Sequence, residues 1–289
     1  MKISDILKQN EKGVSFEFFP PKTSISKEAL ITTVRILKKY NPLYVSMTCG
    51  ATGAIQSNTQ EAVKLLLKEK DLVVMPHLTC IDLRTDSLKS LLDKYKTEGI
   101  DNIMALRGDP PQDKIDFDFH KQDFFCARDL VKKIQEYADF CVGVAVYPEG
   151  HVETTSLEQD LEYAKQKMDS GADFAVTQMF FDNSHYFSLC DRLRKKQINV
   201  PVLPGILPLT NLNRVQKFAS ICRATIPKYI EDNWNSFSGK PEDQKKIGID
   251  FTIKQCQDLI KNGVKKMHFF TLNEPYIMQA ILKAIGIFG

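Results

Sequence analysis

Apolar residues along this chain fall into short β-rich runs separated by longer stretches in which they recur at helical spacing. The first run, Val14-Ser-Phe-Glu-Phe-Phe19, stops at Pro20-Pro21. Behind it Leu30, Ile31, Val34 and Leu37 keep the three-and-four spacing of one helical face, which predicts a helix over Ser26–Tyr40 behind a serine cap. The alternation continues with predicted strands over 43–48, 72–78, 100–106, 141–147, 174–178, 202–206 and 266–270. Helices are predicted over 59–69 and 85–98, and between the remaining strands. Strand starts recur roughly every 30 residues, the length of one strand–helix unit with its turns. Longer gaps precede Cys141 and Lys266, and the polar stretch 223–245 in the second reads as an inserted helix or loop.

That makes eight strand–helix units. Alternation of this kind requires parallel strands joined by helical crossovers, and eight units close a barrel. The expected fold is therefore α/β, a single (β/α)8 TIM barrel, with one catalytic domain over residues 1–289. A doubly wound open sheet is the competitor. It would place a glycine-rich phosphate turn after its first strand, where this chain has Phe19-Pro20-Pro21.

Composition narrows the partners. With 39 Lys and Arg against 36 Asp and Glu, the net charge of +3 is too small to imply a nucleic-acid partner. No apolar run reaches the roughly 18 residues of a membrane span, and Met1–Asn10 lacks a secretory apolar region, so a cytoplasmic protein without a membrane partner is expected. The seven cysteines include no CxxC pair and the five histidines no HExxH, so no metal is expected.

In a parallel barrel, chemistry collects at the carboxyl ends of the strands. Strand alternation puts Ser15, Glu17 and Phe19 on one face and Phe16 and Phe18 on the other. If the two phenyl rings pack under the helices, Glu17 points into the barrel mouth, where a partly apolar setting would raise its pKa and suit it to general-acid work. The competing reading pairs Glu17 with a Lys or Arg inside the barrel. A second carboxylate, Asp109 in Arg107-Gly108-Asp109, also leaves open a glycosidase pair. Gly108 would let the backbone approach a ligand, and its charged neighbours would address a polar ring edge or a phosphate.

Six segments occur in a fixed order: Phe16-Glu-Phe-Phe-Pro-Pro21, Pro76-His-Leu-Thr-Cys80, Leu106-Arg-Gly-Asp-Pro110, Thr177-Gln-Met-Phe-Phe-Asp182, Pro204-Gly-Ile-Leu-Pro208 and Phe270-Thr-Leu-Asn273. Together they resemble the 5,10-methylenetetrahydrofolate reductase family, over Gly13 to Phe288. The resemblance implies a flavin-containing barrel, with FAD or alternatively FMN, that reduces 5,10-methylenetetrahydrofolate to 5-methyltetrahydrofolate. Hydride would pass from NADH or NADPH by way of the flavin in two alternating half-reactions.

By resemblance, Glu17 is the acid that protonates the folate N5, and Asp109 tunes the flavin and steadies the iminium that follows. Gln178 would hydrogen-bond the folate, and Phe218 would pack beside the bound substrate or nicotinamide. Flavin contacts are implied for Thr48, His77, Arg107, Gly108, Asp109, Ala127, Tyr147, His151, Asp160 and Lys167. Read without the family, Asp160 and Lys167 are charged residues on a helix and would simply face water.

The chain also departs from the family pattern. Cys49 and Cys126 stand where aromatic residues are common, and Tyr163 and Gln166 where some relatives carry Asn and Arg toward the distal half of the flavin. Glu274 replaces an Arg that contacts folate in relatives and Arg214 a Gln, with Lys22 or Arg214 as the compensating cation. A homo-oligomer or a companion subunit is compatible with these changes. Two alternatives follow: a flavin-free barrel that transfers one-carbon units on a pterin, and a folate-binding barrel subunit acting with a partner protein.

Overall fold

The computed structural model describes residues 1–21, 23–49, 53–110 and 117–286. Lys22 and Phe288, both named above, lie outside them. Nine strand segments form one parallel sheet: β1 (Gly13–Phe18), β2 (Val45–Met47), β3 (Val74–Thr79), β4 (Asn102–Leu106), β5 (Cys141–Val146), β6 (Phe174–Thr177), β7 (Val202–Leu203), β8 (Gly205–Ile206) and β9 (Lys266–Phe270). Their order is β7-β6-β5-β4-β3-β2-β1-β9-β8. The predicted seventh strand is thus split at Pro204. Its first half pairs with β6 and its second half with β9, so one interrupted strand serves both neighbours and the ring closes.

The junction is tight. Gly205 N donates to Thr177 Oγ1 at 2.8 Å, and Pro204, which has no N–H of its own, accepts from His268 N at 3.0 Å. A methyl group on Gly205 would stand 2.2 Å from the Thr177 carbonyl oxygen, so only glycine fits.

The crossovers are α2 (Ser24–Lys38), α3 (Gly53–Leu67), α4 (Thr85–Thr97), α5 (Ala127–Tyr137), α6 (Leu157–Asp169), α7 (Asn183–Lys195), α8 (Leu212–Cys222) and α10 (Pro241–Lys261), and α11 (Pro275–Ile285) follows the last strand. The serine cap expected for α2 is replaced by Thr23. Its Oγ1 accepts from Ser26 N while Ser26 Oγ accepts from Thr23 N, a reciprocal box that a lone Ser26 cap would forgo. Inside 223–245 a further helix, α9 (Lys228–Ser236), buries Ile230 and Trp234 beside Leu212 and Val215 of α8.

Outward strand residues such as Val14, Phe16 and Phe18 pack under the helices with Leu30, Val34 and Leu37, as alternation predicts. The barrel interior is filled at its amino end by Tyr44, Met75, Met104 and Phe174. An unpredicted helix, α1 (Ile3–Gln9), closes that end with Ile3, Ile6 and Leu7. It is held by Asn102, which accepts from Ile3 N at 2.7 Å and donates to Met1 O at 3.0 Å. Ile3 is fully buried in this plug, so Ile3→Ala should cost about 3 kcal/mol of unfolding free energy in denaturant titration. A loss below half a kcal/mol would show that the plug is dispensable. Among the described residues, no helix is long and apolar enough to cross a membrane.

Candidate active site

Glu17 points into the barrel, as the first strand's alternation requires. It is 7% exposed and meets two imidazoles from facing strands. His268 of β9 lies in register with Ser15, and its Nε2 is 3.3 Å from Glu17 Oε2. On its other side Nδ1 is 2.7 Å from Ser15 Oγ, and its ring stacks on Tyr44. His77 of β3 brings Nε2 to 3.5 Å from the same Glu17 oxygen. The cation partner expected as Lys or Arg is therefore supplied by histidines, whose charge depends on pH.

The raised pKa expected for Glu17 is not what this setting produces. Burial does push the carboxyl up, but the His77 charge and the His268 hydrogen bond and charge outweigh it, and the pKa is lowered. His77 itself is pushed down, chiefly by burial, so its support for the carboxylate fades toward neutral pH. The His268 contact falls on the same carboxyl oxygen. In the ligand-free protein Glu17 is a carboxylate, and it must gain a proton to serve as an acid.

The exits of β1 and β9 are tied together around this group. Thr271 Oγ1 donates to Glu17 O at 2.6 Å, and the Asn273 amide donates to Phe19 O and accepts from Phe19 N, each at 3.0 Å. The Thr-Leu-Asn segment thus fixes the backbone that carries the acid. Leu272 and Asn273 both sit at positive φ (51° and 58°), strain that the clamp sustains.

A cavity of about 230 Å³, lined by none of these residues, opens at the ends of β4 and β5 and runs out between α5 and α6. Arg107, Ala127, Tyr147, His151, Asp160 and Lys167 line it. Asp160 and Lys167 do not face water. Asp160 is buried and accepts from His151 N at 3.1 Å, and Lys167 Nζ donates to Ala145 O at 2.6 Å. Burial lowers the Lys167 pKa to about 8 against the opposing charge of Asp160. Arg107 lies over the Phe119 ring and forms a forked ion pair with Glu153. Gly108 turns the chain at φ 83°, a left-handed conformation that suits glycine.

The other expected residues lie apart from that cavity. Thr48 follows β2, where its N donates to Phe18 O and its carbonyl accepts from Thr59 Oγ1. Asp109 is exposed, and its charge reaches Tyr147 and Cys222. Gln178 spends its amide oxygen on Met179 N at 2.9 Å, which leaves its NH₂ group to donate. Phe218 of α8 packs on the apolar cluster formed by Met179, Leu207 and Leu272, with Arg214 over its ring. A larger groove of about 870 Å³ lies outside the barrel between α7, α9 and α10, and neither Glu17 nor the strand-end residues above line it.

Sequence reasoning missed His268 and Ser15 as partners of the acid. The signal was available: the alternation that turns Glu17 inward turns Ser15 inward with it, and His268 has the same parity as Phe270 in β9.

What this geometry defines is a barrel enzyme with a buried carboxyl group inside the barrel and a separate cavity lined by Arg107, Arg128 and Lys167 together with Glu153 and Asp160. The chain belongs to the methylenetetrahydrofolate reductase family, whose model matches residues 2–286. It is 37% identical over 279 residues to the 5,10-methylenetetrahydrofolate reductases of Pectobacterium carotovorum and Escherichia coli, covering 96% of this chain and 92% of each relative. A Clostridium thermocellum protein described as binding two copies of 5-methyl-5,6,7,8-tetrahydrofolic acid superposes with a TM-score of 0.66 at 13% identity, covering 99% of both chains. That likeness speaks for the barrel alone. Membership of a reductase family sets aside the glycosidase pairing of Glu17 with Asp109.

Proposed function

We propose that the chain reduces 5,10-methylenetetrahydrofolate to 5-methyltetrahydrofolate at the expense of NADH or NADPH, as one catalytic unit with a bound flavin. The observation that carries the reading is the placement of Glu17, an inward carboxyl group on two histidines, in a barrel that also holds a cavity lined by Arg107 and Lys167. The residues present fit a flavin nucleotide. Arg107 and Lys167 supply charge for its phosphate, and Tyr147, His151 and Ala127 supply the walls. When bound, that group accepts hydride from the nicotinamide and passes it to the folate.

Every other step falls to the chain's own side chains. A pterin seated over the mouth strips the last water from Glu17, which raises its pKa and lets it take up a proton. Glu17 then gives that proton to the folate, where it ends on N10 as the methylene–N10 bond breaks and leaves the methylene on N5 as an iminium. Asp109 steadies the positive charge, the free NH₂ of Gln178 orients the pterin, and Phe218 covers the stacked ligand. His268, anchored by Ser15 and Tyr44, keeps the carboxyl aimed.

The direct test is to denature the purified protein, identify the released chromophore by mass and assay methylenetetrahydrofolate-dependent NAD(P)H oxidation. FAD or FMN together with turnover supports the reading. A colourless protein that flavin cannot reconstitute overturns it, in favour of a flavin-free pterin barrel or a folate-binding subunit.

A pH dependence follows from Lys167. Its pKa is about 8 in the free protein, and an anion beside it raises that value, so binding above pH 8 takes up a proton. Flavin affinity of the apoprotein should fall as pH rises, by about tenfold between pH 7 and 9. Lys167→Met should flatten the profile in fluorescence titrations. A profile that keeps its slope in that variant would assign the titration to another group.

A further inference from the structure

The loop of residues 147–156, between β5 and α6, forms one wall of the cavity through Tyr147, His151, Glu153 and Thr154. It is tied to the end of α8 in both directions. Arg223, which caps α8, donates from Nη1 to Thr154 O at 3.0 Å and to His151 O at 3.3 Å. In return Glu149 of the loop accepts from Thr225 N with both carboxylate oxygens, at 3.0 and 3.1 Å. The charge of Asp109 reaches Tyr147 on the loop and Cys222 on the helix, which places it between the two elements.

Arg223 has an unusual backbone for its side chain. It sits at φ 58° and ψ 30°, the left-handed conformation that helices mostly reach with glycine or asparagine. Capping α8 needs only that backbone, because the closing bond runs from Ala224 N to Ala219 O at 2.9 Å. An arginine strains the cap and adds nothing to it. What it contributes is reach: a long side chain that holds two carbonyls of the cavity wall from the outside. The helix held in this way also carries Phe218.

We propose that Arg223 is a positioning residue for the reduction, one that fixes the spacing between the loop 147–156 and α8. This inference rests on the proposed flavin function. Arg223 touches neither ligand. It acts through Tyr147 and His151 on the flavin side and through Phe218 on the folate side, so that both walls are set by one side chain. Glu149 completes the tie by holding the chain just past the cap. Without Arg223 the loop and the helix keep their own folds but lose their common register, and each ligand then has to order its own wall as it binds.

The test is Arg223→Gly, which removes the grip and relieves the strained backbone together, so its melting temperature should stay within about 2 °C of wild type. Flavin affinity of the stripped protein, read by fluorescence, should weaken about fivefold. The KM for methylenetetrahydrofolate should rise about fivefold while kcat changes less than about twofold. Arg223→Lys, whose ammonium reaches the same carbonyls, should recover part of both losses. Neither constant moving, or only one of them, overturns the proposal, as does a fall in melting temperature that accounts for both. Should Arg223→Gly fail to fold by circular dichroism, Arg223→Asn, which also accepts a left-handed backbone but is too short to reach, decides by the same pair of readings. Wild-type protein that neither binds flavin nor turns over overturns the flavin reading itself, an outcome distinct from an unmoved variant.

Discussion

Glu17→Gln should lower methylenetetrahydrofolate reduction by about a thousandfold while NAD(P)H-driven flavin reduction survives. Glutamine keeps the size of the side chain and still offers an oxygen to His268 Nε2, so the barrel wall should stay as it is. What it lacks is a transferable proton. Hydride transfer from the nicotinamide needs no proton on the folate, whereas opening the methylene bridge does. Anaerobic single-turnover measurements separate the two half-reactions, and equal loss in both would remove Glu17 from the role of acid. Because the variant also removes a buried anion from between two imidazoles, its thermal unfolding should be compared with wild type to show that the loss lies in chemistry.

Gly205→Ala should destabilise the protein by about 3 kcal/mol, and its melting temperature should drop accordingly. The added methyl would sit 2.2 Å from a backbone oxygen of β6 and within 3 Å of the Phe270 ring. Neither obstacle is the free end of a flexible side chain. Relief requires β8 to part from β6 or β9, and that seam is what closes the barrel. Opening it also moves Phe270, in register with Glu17 at the end of β9, so folate reduction should fall beyond what the remaining folded fraction explains. Wild-type stability in this variant would mean that the β7–β8 interruption is pliable.

The first strand illustrates how much of the molecule is legible in its residues. A period of two, with phenylalanines on one parity and Ser15 and Glu17 on the other, sufficed to aim the acid inward, because both faces of a barrel strand are buried against different partners. Pro204 was not legible as a break that lets one strand serve two neighbours, since that depends on ring closure. The plug α1 escaped because seven residues give too few turns for periodicity to show.

The charge state of Glu17 was the least legible feature. It depends on His77 and His268, which are 60 or more residues from the acid in sequence and meet it only when β3 and β9 flank β1 and β2 in the closed ring. Asp160 and Lys167 read as a solvated helix face for a similar reason. Only the placement of α6 beside the β4 and β5 ends turns them toward the cavity.

The central claim is that Glu17, ionised on its histidines in the empty site, carries a proton once the pterin is bound. Infrared difference spectroscopy of the folate-bound against the ligand-free protein reads this directly. The account predicts a protonated carboxyl C=O band that appears on folate binding and is absent from Glu17→Gln. A carboxylate that stays ionised in the folate complex across the pH range of activity would contradict it.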